Sequence, residues 1–315
     1  MLLGTLIACT GGVVAPAAYP IPPRPLRLLV QESEFIVTAR VREAEAWRAH
    51  QAMTEEERLL GRFPLVVLEV EQRVKGDPGV PEIEQKLYPW VCPAPARYVM
   101  GTRVLAFLDR SAEDEGGFTT HAFSDGAKTL EDGALATYLE RIREQLEIEQ
   151  MPADELRLAR QVEWLVRCTE HPATRWEGAY ELAPSGDIMT LLTDAVTPDF
   201  ARHLSAEQLE RLRTALLDAN AFDAGERCLE ELLRDDRDPR LQAWLVQQLR
   251  THHTEVAEEG YGVSAFLIER IARRDGRPEV RELAMSFRTS KAAVPDDAAA
   301  GKARLDVARR LLALF

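Results

Sequence analysis

Apolar and polar positions follow one period in the first part of this chain and another from residue 132 onward. In the first part the period is two. Phe35, Val37, Ala39 and Val41 alternate with Ile36, Thr38, Arg40 and Arg42; Val66, Leu68, Val70 and Val74 alternate with Val67, Glu69, Glu71 and Arg73; Ile83, Gln85 and Leu87 alternate with Glu84, Lys86 and Tyr88. Successive side chains of a strand point to opposite faces, so each run predicts a half-buried strand. Residues 104–108, Val-Leu-Ala-Phe-Leu, are apolar on both faces and predict a strand covered from two sides. A last strand is predicted over 117–123 and a turn at Ser124-Asp125-Gly126. Lys75-Gly76-Asp77-Pro78-Gly79 supplies a chain reversal, with glycines for positive φ, proline for a preset φ and Asp for a local side-chain bond. Two excursions interrupt the strands: a charged one over 44–63, where Thr54-Glu55-Glu56-Glu57 has the form of a capping box, and a proline-broken loop over 88–98.

From residue 132 the period becomes that of a helix. Leu135, Leu139, Ile142 and Leu146 form one face, with Glu140, Arg141, Arg143 and Glu144 expected outside; Leu158, Val162, Leu165 and Val166 form the next stripe. Further helices are predicted over 176–182, 188–195, 207–217, 226–233, 241–249, 265–272 and 279–287. Ser205-Ala206-Glu207-Gln208 reads as a capping box, and Asp238-Pro239 as an N-cap with proline at the first helical position. Pro198, Pro239 and Pro278 recur about 40 residues apart near helix openings, which is HEAT-like spacing. An irregular helical bundle satisfies the same stripes. Residues 290–301 read as a linker before a last helix carrying Leu305, Leu311 and Leu312, which caps the stack or docks a partner.

Three short stretches in order carry a resemblance: Glu34-Phe35-Ile36-Val37-Thr38-Ala39-Arg40-Val41, then Val70-Glu71-Gln72-Arg73-Val74-Lys75-Gly76-Asp77, then Gly101-Thr102-Arg103-Val104-Leu105-Ala106-Phe107-Leu108. This order resembles bacterial secreted netrin-like domains, relatives of the tissue inhibitors of metalloproteinases. The resemblance implies an OB-type barrel, and five short strands fit one. The expected fold class is therefore α+β in two parts, an N-terminal OB-type (netrin-like) barrel and a C-terminal all-α HEAT-like repeat or bundle. The division expected is 1–25 export signal and proline-rich lead-in, 26–131 barrel, 132–288 helices, and 289–315 linker and terminal helix.

Composition narrows the partners. The 315 residues carry a formal net charge of −13, which repels phosphate backbones and anionic membrane, so nucleic acid is not an expected partner. At the N-terminus, Leu2 to Ile7 is apolar but lacks the basic start of a signal peptide. Ala15-Pro16-Ala17 fits a cleavage site, and Leu6-Ile7-Ala8-Cys9 resembles a lipobox with Cys9 as the lipid-bearing residue. Export to the periplasm, cell surface or medium is the location expected, cytoplasm if this end is no signal, and membrane attachment would come only through lipid on Cys9. The other cysteines, Cys92, Cys168 and Cys228, have no zinc-like spacing, and Cys168 and Cys228 read as thiols buried in helix packing.

Catalytic spacing is not found: no HExxH, GxSxG, phosphate loop or GxGxxG occurs, and no cofactor, metal ligand set or catalytic residue is assigned. His252-His253 with Glu255 and Glu258 reads as a polar helix end, and His171-Pro172 as the end of one helix and start of the next. Glu230-Glu231 and Asp235-Asp236 read as solvated ion-pair surface. Tyr88, Trp90 and Tyr98 lie in the one loop where aromatics and prolines gather, and form the candidate partner-binding loop. The first functional reading is a non-enzymatic interaction scaffold of the bacterial cell envelope, binding a protein there. Protease inhibition is the alternative implied by the resemblance. In that family a mature N-terminal cysteine carries the mechanism, whereas cleavage after Ala17 leaves Ala18 and a lipidated Cys9 has a blocked amine. An enzyme with an unrecognised site comes last.

Overall fold

The computed structural model describes residues 23–44, 65–86, 96–112, 116–186, 199–253, 263–291 and 298–315. The export segment with Cys9, the excursion after residue 44, Tyr88, Trp90, Cys92 and the helix expected over 188–195 lie outside the described residues. A helix, α1 (Leu26–Glu32), precedes the strands β1 (Phe35–Ala44), β2 (Leu65–Lys75), β3 (Glu82–Lys86), β4 (Arg103–Arg110), β5 (Phe118–Thr120) and β6 (Ala127–Thr129). β1 pairs with β2 and β4, β2 with β3, and β4 with β5, all antiparallel; β3 meets β5 in parallel. The circuit β1-β2-β3-β5-β4-β1 closes a five-strand barrel of OB type, with β6 added to β4.

Alternation along the strands builds two cores. Val37, Ala39, Leu68, Ile83, Ala106 and Leu108 point into the barrel, while Ile36, Leu105 and Phe107 point out into a second core shared with α1 and the helices. This is why β4 is apolar on both faces. The hairpin after β2 holds Gly76 at φ +66°, and Asp77 Oδ1 accepts from the Gly79 N–H at 2.9 Å.

The final strand expected over 117–123 stops at Thr120. Ala122 and Phe123 both take φ +53°, reversing the chain into β6, a strand too short to show a period. Gly126 is required in this turn, since a Cβ there would lie 1.7 Å from the His121 carbonyl oxygen.

The helical part comprises α2 (Asp132–Glu149), α3 (Glu155–Glu170), α4 (Arg175–Leu182), α5 (Ala206–Leu217), α6 (Ala224–Leu232), α7 (Pro239–His252), α8 (Val263–Asp275), α9 (Pro278–Lys291) and α10 (Ala298–Leu312). Consecutive helices pair as α3 with α4, α5 with α6, α7 with α8 and α9 with α10. The pairs stack through α3 on α5 and α5 on α7 in one layer, and α4 on α6 in the other. That neighbour order is HEAT-like, and α10 covers its end by packing on α9 and α7. The expected linker is shorter than its composition implied, because α9 runs to Lys291 and α10 starts at Ala298. Ser205 and Gln208 form the capping box of α5, and Asp238 accepts from the Arg240 N–H to cap α7, each such cap contributing about 1 kcal/mol.

Two charge assignments are corrected. Glu230 and Glu231 are buried, not solvated: Glu230 is 1% exposed and pairs with Arg270 at 3.0 Å and Arg274 at 3.3 Å, while Glu231 pairs with Arg270 and Arg234. Burial raises the Glu230 carboxyl above its ordinary range against the pull of those two guanidiniums. Arg141, expected outside α2, is also buried, pairing with Glu144 at 2.5 Å. Arginine in α8 can pair with α6 because the stack brings these helices together, which no local pattern announces.

The barrel joins the helices through α1, which lies with the helical core although it precedes the strands. Glu177 of α4 accepts from the Leu26 N–H at the start of α1 at 2.7 Å and from the Tyr138 hydroxyl of α2 at 2.8 Å, and pairs with Lys128 of β6 at 2.9 Å. One turn on, Glu181 holds Arg27 at 2.5 Å. At the other end of α1, Lys75 Nζ donates to the Val30 and Ser33 carbonyls at 2.6 Å each, satisfying oxygens that a helix C-terminus leaves unpaired.

Candidate functional site: an interaction surface on the barrel

Of the three aromatics expected to bind, only Tyr98 lies among the described residues, and there its hydroxyl is held by the barrel. Its phenolic oxygen lies 2.7 Å from Thr120 Oγ1, which donates to Gln85 Oε1 at 2.8 Å. Burial pushes the Tyr98 phenol up to about 12, outweighing both of these hydrogen-bond partners. The ring packs against the barrel core.

What this anchor presents is the next pair of residues. Val99 is 56% exposed and Met100 69% exposed. The turn that carries them is rigid. The Thr102 N–H and hydroxyl both donate to the Val99 carbonyl, at 3.1 and 2.7 Å, and Gly101 takes φ +81°, the value demanded at the third position of a type II turn. Two further backbone bonds fasten the turn to the end of β1: Gly101 N–H to Val41 O at 2.8 Å and Val41 N–H to Thr102 O at 2.9 Å. Around it stand charged pairs on the strand faces, Arg40 with Glu71 at 3.3 Å, Arg103 with Glu71 at 2.6 Å and with Asp132 at 2.8 Å. An apolar tip held without backbone freedom and rimmed by charge is the layout of a binding anchor, since ordering it on contact costs little entropy.

One imidazole cluster tests for chemistry. His121 Nδ1 lies 2.6 Å from Asp109 Oδ2 and its Nε2 3.3 Å from Glu32 Oε2, while Asp109 Oδ1 accepts from the Glu34 N–H at 3.0 Å. Burial alone would lower the imidazole pKa, but the Asp109 and Glu32 carboxylates outweigh it and hold it above the ordinary value. A carboxylate oxygen lies at each ring nitrogen, so the imidazole is engaged on both sides. The cluster therefore ties the end of α1 to β4 as a charged bridge.

The other groups expected from the sequence are placed as follows, with Glu255 and Glu258 outside the described residues. Cys168 and Cys228 are buried in the helical core, and burial pushes the Cys168 thiol up, away from reactivity. His171 closes α3 and accepts from the Ala173 N–H at 3.2 Å, opening the next turn. His253 Nδ1 lies 2.7 Å from the Arg250 carbonyl at the end of α7. Among the described residues, no group of three or more His, Cys, Asp and Glu is placed to hold a metal ion, and no helix is long and apolar enough to cross a membrane. Comparison of the chain with protein-family models, with curated proteins and with solved structures found no match.

Proposed function

We propose that this protein is a non-enzymatic, exported interaction scaffold of the bacterial cell envelope, in which the barrel docks a partner protein and the helical stack supplies an extended surface. The observation that carries this reading is the Val99–Met100 pair, two large apolar side chains held in water by four backbone and side-chain hydrogen bonds. Scattered exposed apolar residues are ordinary, but adjacent ones on a pinned turn have a cost in solubility that a partner would offset. The barrel circuit with its parallel β3–β5 closure supports the netrin-like resemblance. The doubly engaged His121 supports a role without catalysis.

A photo-crosslinking amino acid in place of Met100, in protein produced in its own cells, tests the reading. A discrete adduct that disappears in the V99D background, with unchanged thermal stability, is the expected result. A bait that crosslinks to nothing above background removes the barrel turn as an interaction site.

A further inference from the structure

Six methionines occur in the chain, and Met100, Met151 and Met285 lie among the described residues. Met100 is the most exposed large apolar side chain of the described residues, at 69%; Met285 on α9 is 60% exposed, and Met151, just past α2, is half-buried. A thioether that water reaches is a soft, polarizable sulfur open to oxidation. Exposure alone gives that chemistry no consequence. Met285 lies between the exposed, charged Glu282 and Arg288, three residues to either side, so one more polar atom there changes the surface little.

Met100 differs in two respects. It shares its tip with Val99, so its thioether belongs to an apolar pair. Its backbone is also pinned, by the bonds that Gly101 and Thr102 make with Val41 and by the two bonds from Thr102 to the Val99 carbonyl. The turn therefore has no slack with which to draw the side chain away from a docked partner. Whatever atom the sulfur gains stays on the docking surface.

We infer that Met100 is a modification site, a reversible oxidation switch on the docking turn, an inference that rests on the docking role proposed above. The oxidant is hydrogen peroxide. A sulfur lone pair attacks one peroxide oxygen, an S–O bond forms as the O–O bond breaks, and the proton of the attacked oxygen passes to the departing hydroxide, which leaves as water. Sulfur loses two electrons and the peroxide gains them. The sulfoxide keeps the length of methionine but carries a strong hydrogen-bond acceptor, and an apolar partner pocket that closes over it supplies no donor. Oxidation therefore releases the partner. Methionine sulfoxide reductase restores the thioether, removing the oxygen as water while a dithiol is oxidised to a disulfide.

The test places the photo-crosslinking amino acid at position 99, keeps Met100, and applies hydrogen peroxide to the full chain in its own cells before illumination. Trypsin releases residues 98–103, 144–157 and 282–288 as peptides with one methionine each, so oxygen uptake is read separately at Met100, Met151 and Met285. Met100 and Met285 should gain oxygen ahead of Met151. Adduct yield should fall at least tenfold as Met100 is converted, and should return after reduction by methionine sulfoxide reductases A and B with dithiothreitol. In M100L carrying the same crosslinker, peroxide should change the adduct yield by less than twofold, which assigns the effect to this sulfur. Full oxidation of Met100 with undiminished adduct, or an equal loss in M100L, would overturn the switch and leave the docking role standing. No adduct before peroxide is added would overturn the docking role, and the switch with it.

Discussion

Replacing Glu177 by alanine should be among the most damaging single changes in the protein. The carboxylate is 1% exposed and serves three partners from three elements: Leu26 N–H, Tyr138 hydroxyl and Lys128 ammonium, at 2.7, 2.8 and 2.9 Å. Truncation leaves the first two buried without an acceptor, at about 1–3 kcal/mol each. Removing one partner of a buried ion pair costs about 3–5 kcal/mol, and Lys128, less deeply buried, falls at the low end. These penalties overlap because the partners share one side chain, so about 4 kcal/mol is expected for E177A in total. E177Q preserves shape and one acceptor and should lose about half of that. Urea unfolding followed by far-UV circular dichroism is suited to the measurement, since the helices dominate that signal. Hydrogen exchange of the β1 and β4 amides would report the barrel in parallel. In E177A the two signals should separate, because Glu177 links α1, α2 and β6 to α4. A loss below about 1 kcal/mol, or coincident transitions, would refute the view that this carboxylate couples the two parts.

Two further outcomes are expected. The His121 bridge contributes stability that is fully present below the ordinary imidazole pKa and is lost as pH rises through the raised folded value. The Asp109 carboxyl, whose His121 and Glu34 bonds outweigh burial and lower its pKa, loses its contribution as pH falls through that lowered value. Lys75 and Arg24 also face this corner, so the control is H121Q, which should flatten the loss in urea midpoint as pH rises above the ordinary imidazole pKa of about 6.5. An unaltered profile in H121Q would assign the pH response elsewhere. Separately, G76A should destabilise by about 1–3 kcal/mol in thermal unfolding, because φ is +66° and the added Cβ would lie 2.7 Å from the Glu34 carbonyl oxygen. Wild-type stability in G76A would show that the hairpin can relax.

Legibility followed the range of the interaction. β1 to β4 and the stripes of α2 and α3 could be read because their faces are set by neighbours two to four residues away. β6 has three residues and no period, and it exists because Ala122 and Phe123 turn the chain back onto β4. Tyr98 was legible as important, but whether its ring is offered or anchored depended on Thr120. The burial of Glu230 is not legible locally because a charged residue is solvated by default, and it is Arg270 and Arg274 from another helix that make its burial tolerable; Arg141 pairs with Glu144 of its own helix, and its burial depends on how α2 packs.

By itself, the sequence determined the change of period from strand to helix, the reversal at residues 75–79 and the caps at Ser205 and Asp238, all settled by steric and hydrogen-bonding preferences within a few residues. Tertiary structure alone decided that α1 belongs with the helices, that the barrel closes on a single pair at β3 and β5, and which turn faces water. The reason lies in separation along the chain. The Leu26–Glu177 bond spans 151 positions, and nothing near either residue encodes the other; it forms when closing the barrel and stacking the helices bring both to one place.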